Sequence, residues 1–298
     1  MRPWPGDATV SRDRQARDLP LDAHLHTDLS PDSDVPIDAY ARAAVERGIT
    51  ELAITDHVDF EPGAPAFAYT TFAQRERTVR DAAERWAERG VAIHFGVEVT
   101  WDRRWATEIG QHLATHPYDF AIGSVHVYRD SPYARDRVTG WVAGRSLAEI
   151  VAPYFDEVAA GARSGLFDSM GHIDFVKRNL APHVTATQLA AAPELYEPIL
   201  AALVESGTAL EINTSGLRQE AEETYPAAPI VARFRESGGR AITIGSDAHR
   251  ADTFAWALDD GYAIALGAGF ETLRFGHGGA ARPLPLAPTP NATAGRSL

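Results

Sequence analysis

Short apolar runs alternate with amphipathic stretches of helical length along almost the whole chain. The runs fall at 21–26, 50–55, 91–99, 118–125, 166–171, 208–213 and 240–245, with a weaker eighth at 269–274. Helical patterning covers 36–48, 72–89, 147–162, 193–207, 228–238 and 252–266 between them. Strand, helix and strand in repeated order call for parallel strands with the helices covering the sheet. Seven or eight such units without a compositional break predict an α/β barrel of the TIM type or a distorted relative. In that architecture the C-terminal ends of the strands open on one face, where active sites are built.

The residues at those ends have a common chemistry. The first run, LDAHLH, ends in His24 and His26; ELAITDH ends at His57; VAIHFGVE ends at Glu98. YDFAIGSVH ends at His126, LFDSMGH at His172, and AITIGSDAH carries Asp247 and His249. Six of the 11 histidines thus sit at strand ends, while His94, His112, His116, His183 and His277 read as structural or solvated. Side chains at i and i+2 of a strand share a face, so His24 and His26 converge on one point. A single histidine near a strand end is more often a hydrogen-bonded loop residue than a ligand, but a set of this size on one face is best explained by metal. Eight nitrogen and oxygen donors exceed the three or so that one catalytic zinc takes, which implies two or three divalent ions bridged by a carboxylate such as Glu98. Mixed imidazole and carboxylate ligation suits Zn, Mn or Fe better than Mg or Ca.

Composition removes most other chemistries. There is no cysteine, so disulfides, thiolate zinc sites and cysteine nucleophiles are excluded. Lys177 is the one lysine, which rules out a Walker-type phosphate loop. A formal charge of -13 argues against long nucleic acids as partners. No secretory h-region or membrane-length apolar stretch is visible, so a cytoplasmic location is expected. Residues 1–18 read as a flexible lead-in, 19–275 as one catalytic domain, and the segment from Gly276 as a disordered Gly/Pro/Ala tail.

In order, HxH, TDH, GVE, GSVH, GHxD and SDAH resemble the PHP family, the polymerase and histidinol phosphatase superfamily, over roughly residues 20–275. Two further stretches, GHIDFVKR at 171–178 and EINTSGLRQEAEETYP at 211–226, make the chain most similar to its histidinol-phosphate phosphatases. The resemblance implies a distorted (β/α)7 barrel with a trinuclear metal centre. It places His24, His26, Glu98 and Asp247 on the first ion, and Glu98, His126 and His172 on the second. His57, His249 and Asp32 fall on the third, with Asp28 and Asp34 as neighbouring alternatives to Asp32.

With ions so held, the resemblance implies hydrolysis of a small phosphomonoester, L-histidinol phosphate first, by in-line attack of a metal-bridging hydroxide without a protein nucleophile. Glu98, Asp247 and His249 are the expected catalytic residues, the last two as possible proton donors to the leaving alkoxide. Arg178, Arg218 and Lys177 are candidate phosphate contacts, with Asn213 and Ser215 adding neutral hydrogen bonds. TYP at 224–226 and WDRRW at 101–105 either line the mouth of the cleft or pack, and packing is the favoured reading of Trp101. The alternatives are a phosphoesterase acting on nucleotides or short oligonucleotides, and a non-catalytic metal-binding module. The oligomeric state is not legible in the sequence.

Overall fold

The computed structural model describes residues 16–128 and 130–286. In chain order the elements are β1 (Leu21–Leu25), α1 (Ile37–Arg47), β2 (Glu51–Ile54), β3 (His57–Val58), α2 (Phe72–Ala87), β4 (Ala92–Thr100) and α3 (Ala106–Thr115). Then follow β5 (Phe120–Ser124), α4 (Val138–Val142), α5 (Leu147–Ser164), β6 (Ser169–Met170), α6 (Lys177–Leu180), α7 (Ala186–Ala190) and α8 (Glu197–Ser206). The chain ends with β7 (Ala209–Asn213), α9 (Ala228–Glu236), β8 (Ile242–Gly245), α10 (Leu258–Gly267), β9 (Thr272–Phe275) and β10 (Arg282–Pro285).

All the barrel strands run parallel, in the order β1-β2-β4-β5-β6-β7-β8. β2 and β3 both pair with β4, so they are one strand broken at Thr55 and Asp56, and the barrel has seven positions. The break has a local cause. Thr55 donates its backbone N–H to Leu25 O at 2.8 Å, and the Asp56 carboxylate takes the N–H and the hydroxyl of Thr27 at 2.6 and 2.9 Å. The barrel closes between β8 and β1 by a single parallel bridge, Leu25 to Ala248, rather than by a ladder. Side chains complete that seam, with Asp22 accepting from the backbone and hydroxyl of Ser246 at 2.9 and 2.5 Å.

Strands covered on both faces bury everything they carry, and β1, β5 and β7 are buried at each position. Ser169 and Thr243, on β6 and β8 with β7 between them, join hydroxyls at 2.7 Å across the interior. Outside the barrel, α5 begins in a capping box of Ser146 and Glu149 and lays Ile150, Val151, Phe155 and Val158 into the core alongside Ile199, Leu200 and Leu203 of α8. No helix among the described residues is long and apolar enough to cross a membrane.

Three expectations need correction. The weak eighth run does not enter the barrel, because β9 pairs antiparallel with β10 in a separate sheet. The segment from Gly276 is therefore not all tail: Leu284 and Leu286 are buried, His277 Nδ1 meets Asp168 Oδ2 at 2.9 Å, and Arg282 pairs with Glu51. Phe275 packs on Phe120 and His94, with ring centroids 4.8 Å from each, so the hairpin covers the N-terminal end of the barrel. Residues 16–18 of the expected lead-in are docked as well, with Ala16 buried and its N–H on Ala255 O at 3.1 Å. Residues 1–15 and 287–298, the remainder of both expected terminal segments, lie outside the described residues.

Candidate metal centre

The strand ends meet around Glu98. On its Oε2 side stand His57 Nδ1 at 2.9 Å, His24 Nε2 at 3.4 Å and His26 Nε2 at 3.4 Å. On its Oε1 side stand His172 Nε2 at 2.9 Å and His126 Nε2 at 3.5 Å. Asp247 Oδ1 lies 3.4 Å from His26 Nε2 and 3.4 Å from His249 Nδ1. Asp32 Oδ2 spans His57 Nε2 at 3.1 Å and His249 Nε2 at 3.2 Å. Asp32 takes this place while Asp28 and Asp34, both exposed, belong to none of the converging groups.

Four groups of donor atoms lie within ligating reach of one another: His26, Asp32, His57 and His249; His24, His172 and Asp247; His24, His26 and Glu98; His57, Glu98 and His126. All nine residues expected as ligands occur in them. Three observations show that the arrangement fits cations. Glu98 Oε2 is fully buried and accepts no hydrogen bond. The Nε2 atoms of His24 and His26 face each other at 3.0 Å. The donor set is entirely imidazole and carboxylate, the set that divalent Zn, Mn and Fe accept.

The electrostatics agree. Burial alone would push the His24 and His57 rings down. Instead Glu211, Glu98 and Asp247 hold His24 well above its ordinary value, and Glu98 and Asp32 do the same for His57. Burial would raise the carboxyls of Glu98 and Asp247, yet the imidazoles hold both well below the usual carboxylate range. His26 goes the other way, pushed to about 3 by burial and by His249 and His57. So many buried carboxylates call for positive charge between them.

Two of the converging residues sit on strained backbone. His172 has φ 25° and Asp247 φ 52°, the left-handed region that a side chain with a Cβ rarely adopts. Neighbours hold Asp247 there. Arg218 donates to the carbonyls of Ser246 and Asp247 at 2.9 and 2.8 Å, and Asn213 Nδ2 and Ser215 Oγ donate to Asp247 Oδ2, each at 3.3 Å.

That geometry corrects part of the expected substrate site. Asn213 and Ser215 are fully buried and serve Asp247, so they support the centre rather than face a ligand. Lys177 is buried too. Its ammonium pairs with Asp174 at 2.8 Å and with Glu223, above the Tyr225 ring, which leaves it no reach to a phosphate. Arg178 stacks on Phe175, whose ring lies 4.8 Å from that of His172. Trp101 is buried packing, and Tyr225 is buried with it. Sequence reasoning missed Asp22, Asp56 and Glu211, the buried carboxylates that brace β1 and its neighbours. The signal was present, because ALEIN puts Glu211 and Asn213 on one face of an apolar strand just as LDAHLH does for Asp22, His24 and His26.

A parallel barrel with this basin at its C-terminal face defines a metal-dependent hydrolase. The chain belongs to the PHP family: the PHP domain model matches residues 22–215. The histidinol-phosphatase of Lactococcus lactis is 27% identical over 259 residues, covering 85% of this chain and 93% of that protein. The histidinol-phosphatase of Bacillus subtilis is 26% identical over 271 residues, covering 80% and 96%. The crystal structure of the Lactococcus lactis histidinol phosphate phosphatase, complexed with Zn, L-histidinol and phosphate, superimposes with a TM-score of 0.76 at 24% identity over 88% of this chain and 98% of that one. That likeness establishes the fold.

Proposed function

We propose that this protein is a cytoplasmic metal-dependent phosphomonoesterase that converts L-histidinol phosphate to L-histidinol and phosphate. The observation that carries the reaction class is Glu98, a buried carboxylate with five imidazoles around it at the open end of the barrel. The substrate is supported by the relatives, which are named histidinol-phosphatases at 26–27% identity along most of their length.

Two or three divalent ions, Zn, Mn or Fe, would be held by His24, His26, Glu98 and Asp247, by Glu98, His126 and His172, and by Asp32, His57 and His249. Such ions supply Lewis acidity toward phosphoryl oxygens and lower the pKa of water. The chain supplies the rest. Asp247 is held ionised by the imidazoles around it, so of the two expected donors His249, the more exposed, is the side chain that could give the leaving alkoxide its proton. Arg218, fixed against the Asp247 loop, and Arg178, stacked on the Phe175 ring, would supply the positive charge that orients the phosphate dianion. The chain has no cysteine and no GxSxG nucleophile turn, which supports transfer of the phosphoryl group to water rather than to the protein.

The test is phosphate release from histidinol phosphate, mononucleotides and an aryl phosphate by Mn- or Zn-loaded protein, with Glu98→Gln and His126→Ala as controls. Preference for histidinol phosphate that both controls lose is the expected result. Turnover of nucleotides alone would remove the substrate assignment, and no turnover with metals verified as bound would remove the phosphatase reading.

A further inference from the structure

We propose that Glu211 is the positioning residue of the metal centre, a single carboxylate that sets the donor atom of His24 and the backbone of His172 together. The proposal rests on the reading of the basin as a metal centre. Glu211 lies on β7, fully buried. Its Oε1 meets His24 Nδ1 at 2.6 Å, while its Oε2 accepts the His172 backbone N–H at 2.8 Å and Asn213 Nδ2 at 3.1 Å.

A carboxylate offers only acceptors, so the hydrogen must be on Nδ1 of His24. Nε2, which faces His26, Glu98 and Asp247, is then the atom with a lone pair for a cation. The other oxygen acts on the main chain. His172 has φ 25°, and the hydrogen bond from its N–H holds that strained peptide in place. Asn213 carries the hold onward to Asp247 Oδ2 at 3.3 Å. Residues from β1, from the end of β6 and from the end of β8 therefore share one anchor.

Packing is close around the anchor. A Cβ at Gly245 would stand 3.0 Å from Glu211 Oε1, and one at Gly171 would stand 3.4 Å from Oε2. The Gly245 position is the one that lies tight against the carboxylate, since at Gly171 a Cβ would meet Ser124 Oγ first, at 2.4 Å. Glu211 itself belongs to none of the four converging groups of donors found among the described residues, so its part is to orient ligands and not to bind an ion.

Glu211→Gln tests this at nearly constant volume, because the amide keeps one acceptor and turns an NH2 toward one of the three donors. With the metal stripped by chelator, the variant is expected to fold but to melt a few degrees below wild type, because one buried donor loses its acceptor. Retention of Zn or Mn during dialysis against a graded competitor should fall by about 10–100-fold for at least one ion. The visible spectrum of the Co(II)-substituted protein should change as well, which a merely structural role would not cause. Unchanged affinity with an unchanged Co(II) spectrum overturns the proposal. Should Glu211→Gln fail to fold, nitrogen NMR of Zn-loaded wild type with labelled histidine decides: His24 protonated at Nδ1 and metal-bound at Nε2 supports the proposal, and the opposite arrangement overturns it. A wild-type chain that retains no divalent ion overturns the metal reading itself, a separate result from a loaded wild type with an unaffected variant.

Discussion

Replacing Gly245 with alanine probes the barrel seam and the metal centre at once. The new Cβ would lie 2.3 Å from His24 Cβ, 3.1 Å from His24 N and 3.0 Å from Glu211 Oε1. Carbon atoms in contact prefer about 3.5–4.0 Å, so β1 and β8 must part by roughly 1 Å or more. Neither neighbour on β1 is the tip of a flexible side chain, and no rotamer relieves the clash. Overpacking of this kind costs about 1–3 kcal/mol. At about 2–4 °C per kcal/mol for a chain somewhat smaller than this one, the expected fall in Tm is about 2–12 °C. The shift also moves His24 away from Asp247, so the rise in Tm on adding Zn should shrink by more than the metal-free melt falls. Calorimetry on chelated and Zn-loaded protein, with metal content by mass spectrometry, reads both effects. Gly267→Ala is the control, since nothing lies within 4 Å of its Cβ position at the end of α10. A metal-free Tm within about 1 °C of wild type, with full metal content, would refute the reasoning.

Deleting residues from Gly276 onward should cost about 3–6 kcal/mol from Leu284 and Leu286 alone, while sparing metal stoichiometry at the opposite end of the barrel. An unchanged urea midpoint would show that the hairpin contributes nothing. Lys177→Met strands the carboxylates of Asp174 and Glu223 and should destabilise by about 3–5 kcal/mol in urea denaturation, with Asp174→Asn and Glu223→Gln added to recover much of the loss. A loss below about 1 kcal/mol would mean that the ammonium does not neutralise the pair. His112 is held down to about 4 by burial, His116 and Arg75, below its ordinary 6.5. The unfolded chain therefore takes its proton first on acidification, so this group contributes stability above pH 6.5 that is lost as pH falls toward 4. Urea melts at pH 7 and pH 5 should differ less in His112→Gln than in wild type, and an equal difference would exclude His112 as a source of acid sensitivity.

The sequence and the structure agree where one signal is strong in both. Short segments rich in apolar residues place strands such as β1, β4 and β7, and each candidate ligand follows from the segment it terminates. Where tertiary contacts decide, the sequence is silent. The break between β2 and β3 depends on Asp56 reaching Thr27, a contact between neighbouring strands that no local pattern encodes. Leu284 reads as part of a Pro-rich tail until Phe275 and Phe120 provide the surface it extends. Lys177 has the right charge and neighbourhood for a phosphate contact, and only the buried positions of Asp174 and Glu223 show that its charge is already matched. Asn213 and Ser215 lie at the expected strand end but bond to Asp247, a partner the sequence does not reveal because hydrogen-bonding side chains look alike until depth is known.

The bridge from Leu25 to Ala248 joins the first barrel strand to the segment after the last. His24 and Asp247, which face each other across that seam, are separated by nearly the whole chain. At synthesis rates of about 5–20 residues per second, a ribosome delivers the second of this pair roughly 10–45 s after the first. Until then the nascent chain carries seven of the nine converging donors, without Asp247 and His249. A fragment stopped short of Asp247 lacks both of those donors and the bridge that closes the barrel.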